Sequence, residues 1–130
     1  MKIVRKIKPR FTDKRGVIIW LLDDIKTKIK SVLLITSKKG SVRSNHYHKK
    51  DTHWLYVSSG KMEYYEKPVK GGKIKKAVLD AGDMVYTPSM IIHATKFLKD
   101  TVLLTLSTKS RNQEDYEKDT IRIKLIPDNL

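Results

Sequence analysis

Short extended runs cut apart by turn residues leave this chain few ways to fold. The segments at 18–22, 32–36, 54–58, 62–66, 74–79, 83–87, 102–107 and 120–126 are apolar or alternate apolar with polar residues. That period-2 pattern marks strands with one buried face. Between many of them stand turn formers: Asp13 to Gly16, Ser59 with Gly60, Gly71 with Gly72, Ala81 with Gly82, and Lys99 with Asp100. The stretch at 120–126 alternates most strictly and is expected to carry one buried and one wet face. Only 111–118, polar and short, reads as a helical turn. Many strands at this spacing without long helices predict an all-β sandwich or barrel. With no linker, repeat or low-complexity stretch, residues 1–130 read as a single domain.

Composition narrows the chemistry. Hydrophobic content of 39% and charged content of 32% describe a globular chain. There is no cysteine, so disulfides and thiolate metal sites are excluded and any metal must be held by nitrogen or oxygen. The opening MKIVRKIKPRF is basic but lacks the apolar core of a signal peptide. No segment is apolar enough to span a bilayer, so no membrane partner is expected and a cytoplasmic location is the default. The net charge of +14 raises a nucleic-acid reading. The lysines are nonetheless spread through turns and wet strand faces, with no helix-turn-helix, finger or aromatic RNA-binding pattern beside them. A solvated basic surface is expected, with no nucleic-acid partner and a rim suited to an anionic small molecule.

All four histidines fall in two blocks. His46, His48 and His53 lie between Gly40 and Gly60; His93 follows the turn that begins at Gly82. His46 and His48 are two residues apart, so on extended backbone both leave the same face. A short polar turn separates them from His53, and strand pairing would bring that ring alongside. A lone histidine at a strand end is more often hydrogen-bonded than ligating, and that structural reading stays open for each ring. Together the four form an all-imidazole donor set that accepts one divalent transition ion: Zn, Mn, Fe, Ni or Cu.

These blocks resemble the paired signature of the cupin superfamily. At 40–60, Gly40, His46, His48 and Gly60 keep the first motif's spacing, with His53 where that motif has glutamate. At 82–97, Gly82, Pro88 and His93 keep the second, with Met90 in place of a glycine and Phe97 in place of an asparagine. The resemblance implies a single-domain cupin, a jelly-roll barrel of the double-stranded β-helix type, with His46, His48, His53 and His93 as metal ligands. Replacing glutamate by histidine leaves a bound dication with its full formal charge, and so a stronger Lewis acid.

A narrower resemblance concerns substrate. FTDKRGVIIWLL and GSVRSNHYH are similar to segments of cupin-type nucleotide-sugar epimerases and ketoisomerases. They are also similar to the cupin domain of capsular-polysaccharide sugar reductases. In that group an Asp-x-Arg-Gly turn precedes an early strand and a Val-Arg pair precedes the pocket histidine, as Asp13 to Gly16 and Val42 with Arg43 do here. The resemblance implies a metal-dependent isomerase or epimerase of a sugar-like carbonyl substrate, with Arg43 receiving an anionic or diphosphate group. Tyr64 is the expected proton-transfer residue because Met62 and Tyr64 share the inward face, and Tyr86 is a weaker candidate; a core role for Tyr64 stays open. Two other functions remain: an Fe(II)-type dioxygenase, and a non-catalytic sugar-binding or sensor cupin whose pocket Met90 and Phe97 close. Small cupins commonly dimerise by trading an N-terminal strand, and Ile3, Val4 and Ile7 would suit such a homodimer.

Overall fold

A computed structural model describes residues 1–128. Strand β1 spans Lys2–Val4, β2 Phe11–Asp13, β3 Gly16–Ile18, β4 Ser31–Ser37, β5 Val42–His48 and β6 His53–Ser59. They are followed by β7 Lys61–Pro68, β8 Lys75–Asp80, β9 Met84–Thr87, β10 Ile91–Phe97 and β11 Thr101–Ser107. Helix α1, Gln113–Asp119, then leads into β12, Thr120–Arg122. One five-stranded antiparallel sheet has the order β1-β9-β6-β11-β4, a second the order β12-β5-β10-β7-β8, and β2 and β3 form a separate hairpin.

The two large sheets close on one another because each has an apolar inner face. Leu55, Val57, Val85 and Leu103 come from the first and Met62, Tyr64, Leu79 and Phe97 from the second, in one buried cluster. Each such side chain contributes on the order of 1.5–3 kcal/mol by leaving water. This core fills one end of the cup; the other end holds the histidines. At the core end the β6–β7 turn needs glycine: Gly60 has φ +98°, and a Cβ there would meet Thr101 and the Asp100 carbonyl well inside contact distance.

Three sequence expectations are displaced. Strand β12 stops at Arg122, not at 126, because the chain beyond it exchanges ladder bonds for bonds to one side chain. Asn45 Oδ1 accepts from the backbone N–H of Leu125 and Ile126, and its amide donates to the Ile126 carbonyl. The run at 18–22 pairs only through Ile18, opposite Phe11. Strand β10, absent from the predicted runs, lies inside the second histidine block. Strand β1 pairs with β9 of its own chain, Ile3 opposite Val85. Among the described residues, no helix is long and apolar enough to cross a membrane.

Candidate active site

His46 and His93 are direct register partners across β5 and β10. His48 follows two residues on, and His53 opens β6 in the facing sheet. Ring centroids lie 4.6 Å apart for His46 and His48, 4.7 Å for His46 and His93, and 5.2 Å for His53 and His93. His48 stands 5.8 Å from His53 and 5.7 Å from His93. Imidazoles radiating from one ion with nitrogen about 2.1 Å away would hold their centroids about 4.5–5.2 Å apart. The three spacings of His46 with His48, His46 with His93 and His53 with His93 meet that range, while His48 stands about half an ångström too far from His53 and His93. Ligand atoms of His46, His48 and His93 all lie within 4.8 Å of one another, and those of His53 group with His48 and Asp51.

A bulge sets which side chains share this face. The β5–β10 register skips Asn45: His93 pairs with His46, but Ala94 pairs with Ser44 and Thr95 with Arg43. Ser44 and Asn45 both have left-handed φ, 72° and 57°, a region Asn enters more readily than most residues. The extra residue shifts the alternation by one, so Arg43 and His46, three apart, both turn toward the cup. Asn45 faces away and pins the C-terminal segment.

Outer hydrogen bonds fix three of the four rings. His93 Nδ1 donates to the Ile91 carbonyl at 3.0 Å, and His53 Nδ1 lies 3.3 Å from Asp51 Oδ2. His48 Nδ1 lies 3.2 Å from Thr120 Oγ1, whose own proton goes to the Tyr116 carbonyl. His48 Nδ1 is therefore the donor and its Nε2 a bare lone pair. That Nε2 is buried with no hydrogen-bond partner among the described residues, as an inward-facing ligand nitrogen would be. Among the described residues, no such bond restrains His46.

The rings are neutral. Burial, then the neighbouring imidazoles, lowers His46 to about 3. Burial, then His53, lowers His48 to about 4. Burial also holds His53 and His93 below the ordinary value, against the pull of Asp51 on His53. Burial would raise Asp51, but hydrogen bonds from His53 and Ser107 and the charge of Arg111 outweigh it and bring Asp51 to about 2. The His53–Asp51 contact is thus a neutral imidazole donating to a carboxylate, while Arg111 Nη2 at 3.2 Å is that carboxylate's true ion partner.

The histidines line a cavity of about 350 Å³ whose other wall is Leu33, Ile35, Leu55 and Thr105. Arg43, Arg111 and Tyr116 stand around it. A neighbouring depression of about 480 Å³ shares His48, Arg111 and Tyr116 and adds Lys30, Lys49, Lys50 and Lys109. The arrangement can take a small polar molecule against neutral bases and an anionic extension over fixed cations.

The other predicted residues are scattered. Arg43 reaches the cavity with its Nε donating to Ser37 Oγ at 2.7 Å and Nη2 to the Thr36 carbonyl at 3.0 Å. Tyr64 is fully buried in the core and does not line the cavity; its hydroxyl bonds to Thr87 Oγ1 at 2.8 Å and Glu66 Oε2 at 3.1 Å. Burial, reinforced by Glu66, pushes that phenol far above its ordinary pKa. Tyr86 packs on Trp54 at 5.0 Å on the outside of the sheet. Phe97 is buried in the core and Met90 is exposed, so neither closes the cavity. Sequence reading missed Asp51, Thr105, Arg111 and Tyr116. Only Asp51, two residues before His53, carried a local signal.

Two facing antiparallel sheets with a histidine-lined mouth define a cupin-type domain. More narrowly, the chain belongs to the FdtA family, described as WxcM-like, C-terminal, which it matches over residues 2–125. A search of curated proteins gave no match. Among solved structures, the chain resembles a 3,4-ketoisomerase from Helicobacter canadensis at 23% identity and TM-score 0.77, covering 93% of this chain and 89% of that one. It resembles QdtA, a sugar 3,4-ketoisomerase from Thermoanaerobacterium thermosaccharolyticum in complex with TDP, at 25% identity and TM-score 0.74, covering 92% and 87%. It also resembles dTDP-4-dehydrorhamnose 3,5-epimerase from Sulfolobus tokodaii at 21% identity and TM-score 0.74, covering 88% and 73%. The chain spans 27% of the capsular polysaccharide assembling protein CapF from Staphylococcus aureus, with 75% of this chain aligned at 20% identity and TM-score 0.68.

Proposed function

We propose that this chain is an isomerase or epimerase of a nucleotide-linked keto sugar, and that its four-histidine cup takes one divalent transition ion. One observation carries the reading: buried neutral imidazoles, three of them held from behind, converge beside a cationic mouth. The family and the solved ketoisomerases support the substrate class.

The residues fit an ion. His48 Nε2 is buried and unpartnered among the described residues, the ring spacing suits a common centre, and all four donors are imidazole. His46, His48, His53 and His93 would hold it. When bound, the ion supplies a Lewis acid for a sugar carbonyl oxygen and the negative charge that develops on it.

The remaining work falls to side chains. His46, which no outer bond holds among the described residues, swings free of the set so that its nitrogen lone pair can act as base. It takes the C–H proton from the hydroxyl-bearing carbon beside the keto group and returns it to the former carbonyl carbon on the same face, while the hydroxyl proton passes to the former carbonyl oxygen, which exchanges the keto and hydroxyl positions. His48, His53 and His93 keep their places because Thr120, Asp51 and the Ile91 carbonyl hold them. Arg43 and Arg111, with the lysines of the adjoining depression, receive the diphosphate. Leu33, Ile35 and Leu55 keep water from the opposite side of the sugar. Tyr64, with both its hydroxyl bonds inside the core, has no part in this scheme.

The test is conversion of TDP-4-keto-6-deoxyglucose, the ligand of one QdtA structure, followed by NMR, with the protein first stripped of ions and then loaded with Mn, Zn or Fe. A new keto-sugar isomer or epimer, formed faster by loaded protein, is expected. No turnover with any ion, together with oxygen uptake by the iron-loaded form, would favour the dioxygenase instead. The reading includes a homodimer: Val32 and Leu34 are 62% and 69% exposed on the outer face of the first sheet, more than an isolated sheet face tolerates comfortably. Light scattering at twice the monomer mass is the expected result.

A further inference from the structure

The wall facing the imidazoles contains one residue out of keeping with its neighbours. Across the first sheet, Leu33, Thr105, Leu55 and Val85 form one inward row, since Thr105 pairs with both Leu33 and Leu55 and Leu55 pairs with Val85. Three members are aliphatic and pack as aliphatics should. The fourth carries a hydroxyl where valine would have the same shape. Thr105 is 2% exposed, and its Oγ1 is a buried side-chain oxygen with no hydrogen-bond partner among the described residues. A strand interior gives it no help, because the backbone groups around it are committed to the β4–β11–β6 ladders. Leaving such a group unpaired is destabilising, and a fold has no reason to carry that except where a ligand completes it.

Thr105 lines the cavity that holds the histidines. We propose that Thr105 is a specificity-determining residue that hydrogen-bonds a ring hydroxyl of the bound keto sugar, while Leu33 and Leu55 beside it take a deoxygenated carbon of the same sugar. This inference rests on the keto-sugar reading and adds to it which face of the substrate is read, and by what. The imidazole wall handles the carbon undergoing proton exchange; the Thr105 row tests the far edge of the ring. A sugar bearing a hydroxyl against Leu33 or Leu55 would bury that hydroxyl unpaired, and one lacking the hydroxyl at Thr105 would leave the threonine unpaired. Both mismatches act through the same desolvation cost, so the row selects by oxygen pattern.

The experiment compares Thr105→Val and Thr105→Ser with wild type in three measurements. In ligand-free protein, Thr105→Val is expected to raise Tm, because a methyl replaces an unpaired buried hydroxyl in an aliphatic row. With TDP-4-keto-6-deoxyglucose, Thr105→Val is expected to raise KM about 3–10-fold, with Thr105→Ser restoring wild-type behaviour. With TDP alone, which lacks the sugar, all three proteins are expected to bind equally. A lower Tm for Thr105→Val would mean the hydroxyl has a structural partner and would overturn the proposal. Unchanged KM in an active enzyme would overturn it too, as would equal weakening of TDP. Wild-type protein that neither binds nor converts the keto sugar would overturn the parent reading, and with it the ligand named here.

Discussion

The two inner walls of the cup are built from antiparallel strands of similar length yet carry opposite chemistry. The β5–β10 wall presents His46, His48, His93 and Arg43; the β4–β11–β6 wall presents Leu33, Ile35, Leu55 and Thr105, with His53 only at its end. The polar wall is irregular where it matters, with a bulge at Asn45 and two left-handed residues. The apolar wall runs in unbroken register through the cup, and its one irregularity lies at the far end, between Val102 and Leu103. Local departure from the ladder aims functional groups, whereas regular pairing builds shape. The rings also depend on supports behind them: Thr120 of β12 for His48, the Ile91 carbonyl of β10 itself for His93, and Asp51, in the turn before β6, for His53.

Variants that remove a member of the imidazole set should break this contrast most severely. His93→Ala deletes a ring fixed by its own strand, and the affinity for a divalent ion should fall by well over the about 10–100-fold that loss of an outer partner brings. Unchanged ion content after dialysis would mean His93 is not a ligand. Asp51→Asn leaves the four rings but removes the charge that orients His53 and neutralises Arg111. Ion affinity should drop about 10–100-fold, measured by competition with a chelator; wild-type affinity would make Asp51 dispensable.

Acidification tests the same wall more gently. His46 and His48 are held at about 3 and about 4 in the folded chain, below the ordinary value of about 6.5. Above that value both folded and unfolded states carry neutral rings and pH has no effect. As pH falls through it, the unfolded chain takes up protons the folded chain refuses, so stability declines down to the folded pKa values. Asp51, lowered from 3.8 to about 2, contributes stability that is fully present above its ordinary carboxylate pKa and is lost progressively as pH falls from there through about 2. The Tm of ion-free protein should therefore fall steadily from pH 7 to pH 5; a flat profile would place the rings in a wetter setting than the structure gives them.

The smallest effect is expected from the tyrosine beneath the cup. Tyr64→Phe removes hydrogen bonds to Thr87 and Glu66 at a cost of about 0.5–1.5 kcal/mol, and turnover should stay at the wild-type value. A fall of about 10²-fold or more would return proton transfer to Tyr64.

Much of this was legible in the chain itself. Breakers such as Ser59 with Gly60 and Ala81 with Gly82 marked real turns, and the inward alternation of Met62 and Tyr64 held. The histidine blocks found their place because spacing of two on extended backbone survives folding, as His46 and His48 do. What failed was parity across a bulge: nothing in Ser44 and Asn45 announces two left-handed residues, so the inward turn of Arg43 had no periodic signature. The 120–126 alternation was real but irrelevant past Arg122, since tertiary bonds from Asn45 captured the backbone there. Tyr116 lies on a short polar helix and Arg111 just before its N-cap, where no periodicity separates a residue facing the cup from one facing water. Thr105 was hidden for the opposite reason: in an alternating strand, threonine reads as an ordinary β-former.

In the proposed chemistry, a neutral imidazole of this cup moves a proton next to a sugar carbonyl. Wild type and His46→Gln, both loaded with the same ion, can be given TDP-4-keto-6-deoxyglucose in D2O and followed by NMR. Deuterium is expected to enter the carbon beside the keto group with wild type, and about 10²–10⁴-fold more slowly with His46→Gln, both measured at saturating ion. Exchange at the wild-type rate in His46→Gln would contradict it.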